Sequence, residues 1–212
     1  MVLDNPKIEW NKRIVEVSKL VPKLSKLRVL SAFNSSVERV KVIDGNEISG
    51  IVSSLERKDL DFVKEKSIAF DNKFASNQRE FLAALVHCMR IGKQSRIVGS
   101  NQLFSWLNGL FSKPESKRLG GQAALMISQL SELNAKSYVF LSALSLDQAK
   151  LLDSSLLVPM AVKKKLAFKK PLSSVDSKAV THVNWVFEFK KGDTLVFDGE
   201  TIVVPRDNRL IL

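Results

Sequence analysis

The sequence is poor in residues that make covalent cross-links and metal sites. It holds one cysteine, Cys88, and two histidines, His87 and His182. One thiol cannot close an internal disulfide, so nothing points to secretion. His87 and Cys88 are neighbours on a predicted helix and cannot both face one ligand. No zinc-ligand spacing exists, so no metal-binding residue is expected in this chain. No apolar run reaches the roughly 18 residues of a membrane span. The opening MVLDNPKIEWNKR has no apolar signal core. A cytoplasmic protein without a membrane partner is the expectation. The common nucleotide loops, G-x-x-x-x-G-K-[ST] and G-x-G-x-x-G, are missing as well.

What the chain does have is apolar content and positive charge. Its 212 residues are 45% hydrophobic, enough for a packed core in one large or two small domains. The formal net charge is +11. Such a balance suits an anionic ligand, an acidic partner or nucleic acid, but no nucleic-acid motif accompanies it. The densest basic run is Lys163, Lys164, Lys165, Lys169 and Lys170.

Periodicity predicts a helical stripe over residues 6–27 with a break at Pro22, then a strand, polar loop and strand across LRVLSAFNSSVERVKVI. DGNEI reads as a turn with Gly45 at its tight point. NQREFLAALVHCMRIG is an amphipathic helix stopped by Gly92, and SNQLFSWLNGLF is a shorter helix capped by Ser100 or Asn101. A linker at SKPES leads to a helix over 122–133, an apolar strand KSYVFLSAL and a short helix. A strand bounded by helices points to a parallel sheet. The remainder, from LLVPMAV to NRLIL, is rich in strands joined by turns at KKGD and DGET.

Three patches could carry chemistry. Gly120 and Gly121 let a backbone approach a ligand, and Gln122 opens a helix whose first N–H groups are free. FNSSVE, residues 33–38, ends a predicted strand, where open α/β folds bind ligands, and Asn34 and Glu38 could hydrogen-bond a polyol. Arg206 and Arg209 flank Asn208 between two apolar runs and suit a phosphate or carboxylate. Each patch also has a plain reading, as a loop, a turn or a charged connection.

These patches occur in one order in one family. NSSVE resembles the N-x-N-x-D that ends the first strand of the archaeal ADP-dependent phosphofructokinases and glucokinases, in the ribokinase-like superfamily. RLGGQAALM resembles their R-x-G-G-Q/N-A stretch, VNWVFEFKKGD their W-I-F-E-F-x-K-G, and PRDNRLIL their R-x-N-R-F-I. The likeness runs over roughly residues 27–212. It departs where Ser36 replaces a second Asn and Glu38 an Asp.

The resemblance implies an α/β fold: part of a ribokinase-like α/β sandwich with a smaller α+β lid. Residues 1–37 and 113–155 would belong to the large domain, 38–112 and 156–206 to the lid, and 207–212 would return as a strand to the large domain. It implies that the sugar lies between them, touched by Asn34, Glu38, Gly120, Gly121 and Gln122. Lys164, Arg206 and Arg209 are candidates for a sugar phosphate. The family's H-x-x-E and G-x-G-D motifs have no counterpart in the 212 residues. Mg2+, ADP and the catalytic base are therefore expected mainly on a missing half. That half would be a complementary chain carrying G-x-G-D or the rest of the same polypeptide. The alternative is a non-catalytic binding or regulatory module, with nucleic acid as a less favoured ligand.

Overall fold

A computed structural model describes residues 6–32, 35–114 and 116–212. It is a partial α/β fold in two compact units. The first comprises residues 1–37 and 119–182, the second 38–118 and 183–212. No described helix is long and apolar enough to cross a membrane.

The chain opens with helices α1 (Pro6–Ser18) and α2 (Val21–Leu24), the second carrying Pro22 in its first turn, where a proline costs no hydrogen bond. Strands β1 (Arg28–Ala32) and β2 (Ser36–Val42) follow. DGNEI, expected as a turn, instead starts helix α3 (Gly45–Ser53): the Asp44 carboxylate accepts from the Asn46 N–H at 2.9 Å. Gly45 is required by closeness rather than by a turn, since a Cβ there would lie 2.1 Å from the carbonyl oxygen of Thr194.

Helix α4 (Arg57–Lys66) and the short strand β3 (Phe74–Ala75) lead to α5 (Gln78–Ile91). The Asn77 side chain accepts from the Glu80 N–H at 3.1 Å, and Gly92 closes the helix at φ 60°. The sequence predicts one apolar face for α5. The structure also buries Ala83, Ala84 and Cys88, because this helix lies in the core of the second unit. Short strands β4 (Ser95–Arg96) and β5 (Val98–Gly99) precede α6 (Asn101–Leu110), capped by the Ser100 hydroxyl.

Strand β6 (Ser116–Gly120) runs into helix α7 (Gln122–Glu132), strand β7 (Lys136–Phe140) and the short helix α8 (Leu146–Leu151). Hairpin strands β8 (Val158–Val162) and β9 (Lys165–Lys169) and a 3-10 turn (Pro171–Ser174) complete the first unit. Strands β10 (Val183–Phe189), β11 (Thr194–Phe197), β12 (Glu200–Val203) and β13 (Asn208–Ile211) follow.

The first unit is built on parallel pairing of β1 with β7, from Arg28 opposite Lys136 to Ala32 opposite Phe140. Beneath it α7 contributes Ala124 and Ile127 to a core with Val139, Leu144, Leu156 and Val158. The main sheet of the second unit has strand order β4-β13-β10-β2-β6. Its core centres on aromatic rings: Phe81 and Phe187 meet edge-on at 4.9 Å, and Trp185 stacks on Phe187 at 5.6 Å. The Trp185 indole N–H donates to Asn108 Oδ1 at 3.1 Å, so the fully buried ring leaves no polar orphan.

The observed grouping of segments differs from the expected one. Residues 156–182 lie in the first unit, not with 38–112. The reason is a backbone link: the Val139 N–H donates to Leu157 O at 2.9 Å and the Leu157 N–H to Ser137 O at 3.1 Å, while Leu156 and Val158 fill the core over α7. Residues 113–118 lie in the second unit. So do the last six residues, expected to return to the other domain. There β13 pairs antiparallel with β10, Phe187 opposite Leu210, and the buried Leu210 and Leu212 join the aromatic core.

The turn between β8 and β9 places two lysines in the left-handed region, Lys163 at φ 49° and Lys164 at φ 62°. Asn-Gly suits such a two-residue turn better, because a Cβ at positive φ costs about 1 kcal/mol. The double change Lys163→Asn with Lys164→Gly should stabilise the protein by about 1 kcal/mol, read as a raised urea midpoint at unchanged slope.

Candidate functional site

Gly120, Gly121 and Gln122 form the junction of β6 and α7. Gly120 is buried, Gly121 sits at φ 90° and ψ 127°, and Gln122 is exposed in the first helical turn. No side chain caps α7, so its first N–H groups point away from the helix without an acceptor from the cap residue. Topology fixes where they are. Helix α7 leads directly into β7, and β7 runs parallel to β1. The helix therefore runs antiparallel to both strands and begins at their carboxyl ends. The Ser31 hydroxyl, one residue before the end of β1, donates to Ala123 O at 3.0 Å and locks this arrangement. Carboxyl strand ends beside a helix N-terminus are where open α/β sheets hold ligands.

Asn34 lies outside the described residues. The chain beyond it is anchored at Ser35. Gln148 Nε2 donates to Ser35 O at 3.2 Å, while Gln148 Oε1 accepts from the Ser145 N–H at 3.1 Å. Gln148 and Ser145 form the capping box of α8, and both are buried. The sequence reading missed this anchor. Its signal was present as S-x-x-Q at residues 145–148, a pattern with a known capping geometry.

Glu38, the third residue of β2, is half-buried, and its carboxylate has no hydrogen-bond or ion-pair partner among the described residues. Arg209 lies on β13 opposite Glu188. It lines a cavity of about 390 Å3 together with Gln94, Lys190 and Asn208. Glu188 is held by Arg118 at 3.2 Å, which leaves Arg209 exposed to incoming anions.

Arg206 is placed differently. Its Nε donates to Gly92 O at 2.6 Å, and Asn208 Nδ2 donates to the same oxygen at 2.9 Å. These bonds satisfy a carbonyl at the end of α5. The side chains of Arg206 and Arg209 thus serve different surroundings despite their spacing. Lys164 is exposed at the tip of the β8–β9 hairpin in the first unit, whereas Arg206 and Arg209 belong to the second.

Among the described residues no group of three or more His, Cys, Asp or Glu could hold an ion. Burial pushes the Cys88 thiol up to about 12, so it stays protonated at neutral pH. His87 Nδ1 lies 2.9 Å from Ser67 O, a structural contact.

Comparison with known proteins bears on this geometry. The family model described as ADP-specific Phosphofructokinase/Glucokinase conserved region matches residues 27–212. An ADP-specific phosphofructokinase of Thermococcus kodakarensis is 26% identical over 200 residues, covering 92% of this chain and 42% of that protein. The structure of a hypothetical ADP-dependent phosphofructokinase from Pyrococcus horikoshii OT3 matches with a TM-score of 0.72 at 24% identity, over 87% of this chain and 40% of that one. An ADP-dependent kinase solved with fructose-6-phosphate and ADPbetaS matches with a TM-score of 0.73 at 28% identity, over 96% of this chain and 38% of that one. The chain spans about two fifths of the length of these relatives.

Two outcomes follow from the side-chain placements. Gln148→Ala should destabilise the protein by about 1–3 kcal/mol, because the Ser35 carbonyl and Ser145 N–H lose their partners. Hydrogen exchange should rise at the Ser145 amide, whose N–H donates to Gln148. Arg206→Ala should cost about 1 kcal/mol through the lost helix-end bond, whereas Arg209→Ala should change the denaturation midpoint by less than about 0.5 kcal/mol.

Proposed function

The chain belongs to the ADP-specific phosphofructokinase/glucokinase family, and on that premise we propose that it forms the sugar-binding part of an ADP-dependent phosphofructokinase. The observation that carries this reading is the uncapped first turn of α7, held at the carboxyl end of β1 by Ser31. In this reading the N–H groups of Gly120, Gly121 and Gln122 donate to sugar oxygens, and Asn34 and Glu38 take sugar hydroxyls as hydrogen-bond partners. On the second unit, Arg209 is the candidate for a sugar phosphate. Lys190 lines the same cavity, as do the carboxylates of Glu188 and Asp207. Arg206 is occupied at the end of α5 and takes no part.

Fructose 6-phosphate is favoured over glucose for two reasons. The quoted relative from Thermococcus kodakarensis is named a phosphofructokinase, and one related kinase was solved with that sugar phosphate bound. The cavity beside Arg209 also offers the cation that a phosphorylated sugar needs.

The reaction joins a sugar hydroxyl oxygen to the β-phosphorus of ADP. The bond between that phosphorus and the bridging oxygen breaks, AMP leaves with the electron pair, and the hydroxyl proton passes to a base. Neither common phosphate loop, G-x-x-x-x-G-K-[ST] or G-x-G-x-x-G, occurs in the sequence. This chain's share is therefore to bind and orient the sugar. We assign the ADP site and the base to the part of the relatives that this chain does not match, whether it is a complementary chain or the rest of the same polypeptide.

Calorimetric titration of the 212-residue chain with fructose 6-phosphate and with glucose tests the reading. Fructose 6-phosphate should bind more tightly, and Arg209→Ala should weaken it at least about tenfold, the loss typical of a charged hydrogen bond. The chain alone should form no AMP from ADP. AMP production by the pure chain, or equal binding of the two sugars, would refute the assignment.

A further inference from the structure

The second unit holds a cavity that shares no residue with the one beside Arg209. It measures about 440 Å3 and lies where α4 meets the first turns of α5 and α6. That volume suits a small molecule. Every residue that lines it falls within 38–118, so its walls come from one compact unit. Leu55 and Leu103 supply apolar lining. The half-buried Trp106 packs on the aromatic core, with the Phe81 ring 6.0 Å away at 66°, and also lines the cavity. Its indole N–H has no acceptor among the described residues, although an indole in such a place usually finds one.

The polar lining has free capacity too. The half-buried Gln78 and the exposed Gln102 face no hydrogen-bond partner among the described residues. Each amide offers two N–H donors and an acceptor oxygen. Arg79 is fixed in place yet only partly engaged. Its Nη1 donates to Asp59 at 3.0 Å, and its guanidinium lies 4.6 Å from the centre of the Phe62 ring. Its Nε and Nη2 have no partner among the described residues. Lys58 is a second cation, and its exposed pair with Glu56 at 2.9 Å is of the weak surface kind. Asp59 is the one carboxylate of the lining among the described residues, and Arg79 already holds it.

A ligand that answers all of these groups is flat, carries ring donors and acceptors, and is anionic. A neutral sugar has no use for two cations, and a bare phosphate has none for the indole. We propose that this cavity binds an adenine nucleotide with one phosphate. The base stacks on Trp106, as bases do on aromatic side chains. A glutamine amide pairs with its exocyclic amino group and a ring nitrogen, the pairing by which glutamine reads adenine. The phosphate meets the free N–H groups of Arg79 and the ammonium of Lys58. The site shares no residue with the sugar site proposed above and stands or falls apart from it.

Calorimetric titration of the 212-residue protein with AMP, adenosine, CMP, inorganic phosphate and glucose tests this. AMP should bind one to one. Adenosine and CMP should each bind at least about tenfold more weakly, because each lacks one of the anchors. Phosphate and glucose should not saturate the protein. In the nuclear magnetic resonance spectrum AMP should shift the side-chain amide signals of Gln78 and Gln102 and the indole N–H signal of Trp106. The double change Gln78→Ala with Gln102→Ala removes no hydrogen bond among the described residues. It should leave the urea midpoint unchanged and weaken AMP at least about tenfold. Lys58→Ala, on the exposed surface, should weaken AMP but not adenosine, and Arg209→Ala should leave AMP binding as it was. A protein that AMP does not saturate, or that takes adenosine, CMP or glucose as tightly, would overturn the proposal. So would AMP affinity that survives the double change, or that is lost in Arg209→Ala.

Discussion

Parallel pairing of β1 with β7 is the constraint from which the first unit follows. Parallel neighbours cannot be joined by a tight turn, so the chain must cross over before it can place the second strand alongside the first. Here the last leg of that crossover is α7, and its direction is dictated by the strand it feeds. Its free N–H groups consequently fall at the carboxyl edge, and a bond from Ser31 fixes them there. One pairing thus decides where a ligand can be held.

The second unit solves a different problem with α5. This helix is apolar on nearly every side, so it needs partners all round: α4 and α6 supply some, and the strands carrying Trp185, Phe187 and Leu210 supply the rest. A polar link at the edge of this core, the exposed Asn108, accepts from both the Trp185 indole and Arg39 Nη1, the latter at 2.7 Å. Arg39 in turn lies over the Trp185 ring at 5.8 Å. Such a linked set tolerates change poorly, because removing one member leaves others unpaired.

Local pattern carried much of this in the sequence. The cap at Ser100, the stop at Gly92 and the strands around KKGD and DGET are short-range signals, and they appear where local chemistry puts them. Long-range choices were less legible. DGNEI looks like a turn in isolation, and only the approach of Thr194 shows why Gly45 stands there. Nothing local says that 156–182 joins the first unit, because that depends on Leu157 meeting β7. Of the candidate site, the glycine junction could be read from the residues. The separate fates of Arg206 and Arg209 could not, since three residues of spacing do not reveal which neighbour each side chain meets.

The order in which segments are made has its own consequence for α5. Its buried residues end at Met89, yet β10 and β13, which cover it, lie beyond residue 182. During synthesis the helix emerges long before its cover and must wait with Phe81, Leu85 and Met89 unshielded. Pairings so distant in sequence close slowly. An apolar surface left open for that interval is a natural client for a chaperone and a place where nascent chains aggregate. The interleaving that completes the second unit thus also makes its central helix a vulnerable part of a growing chain.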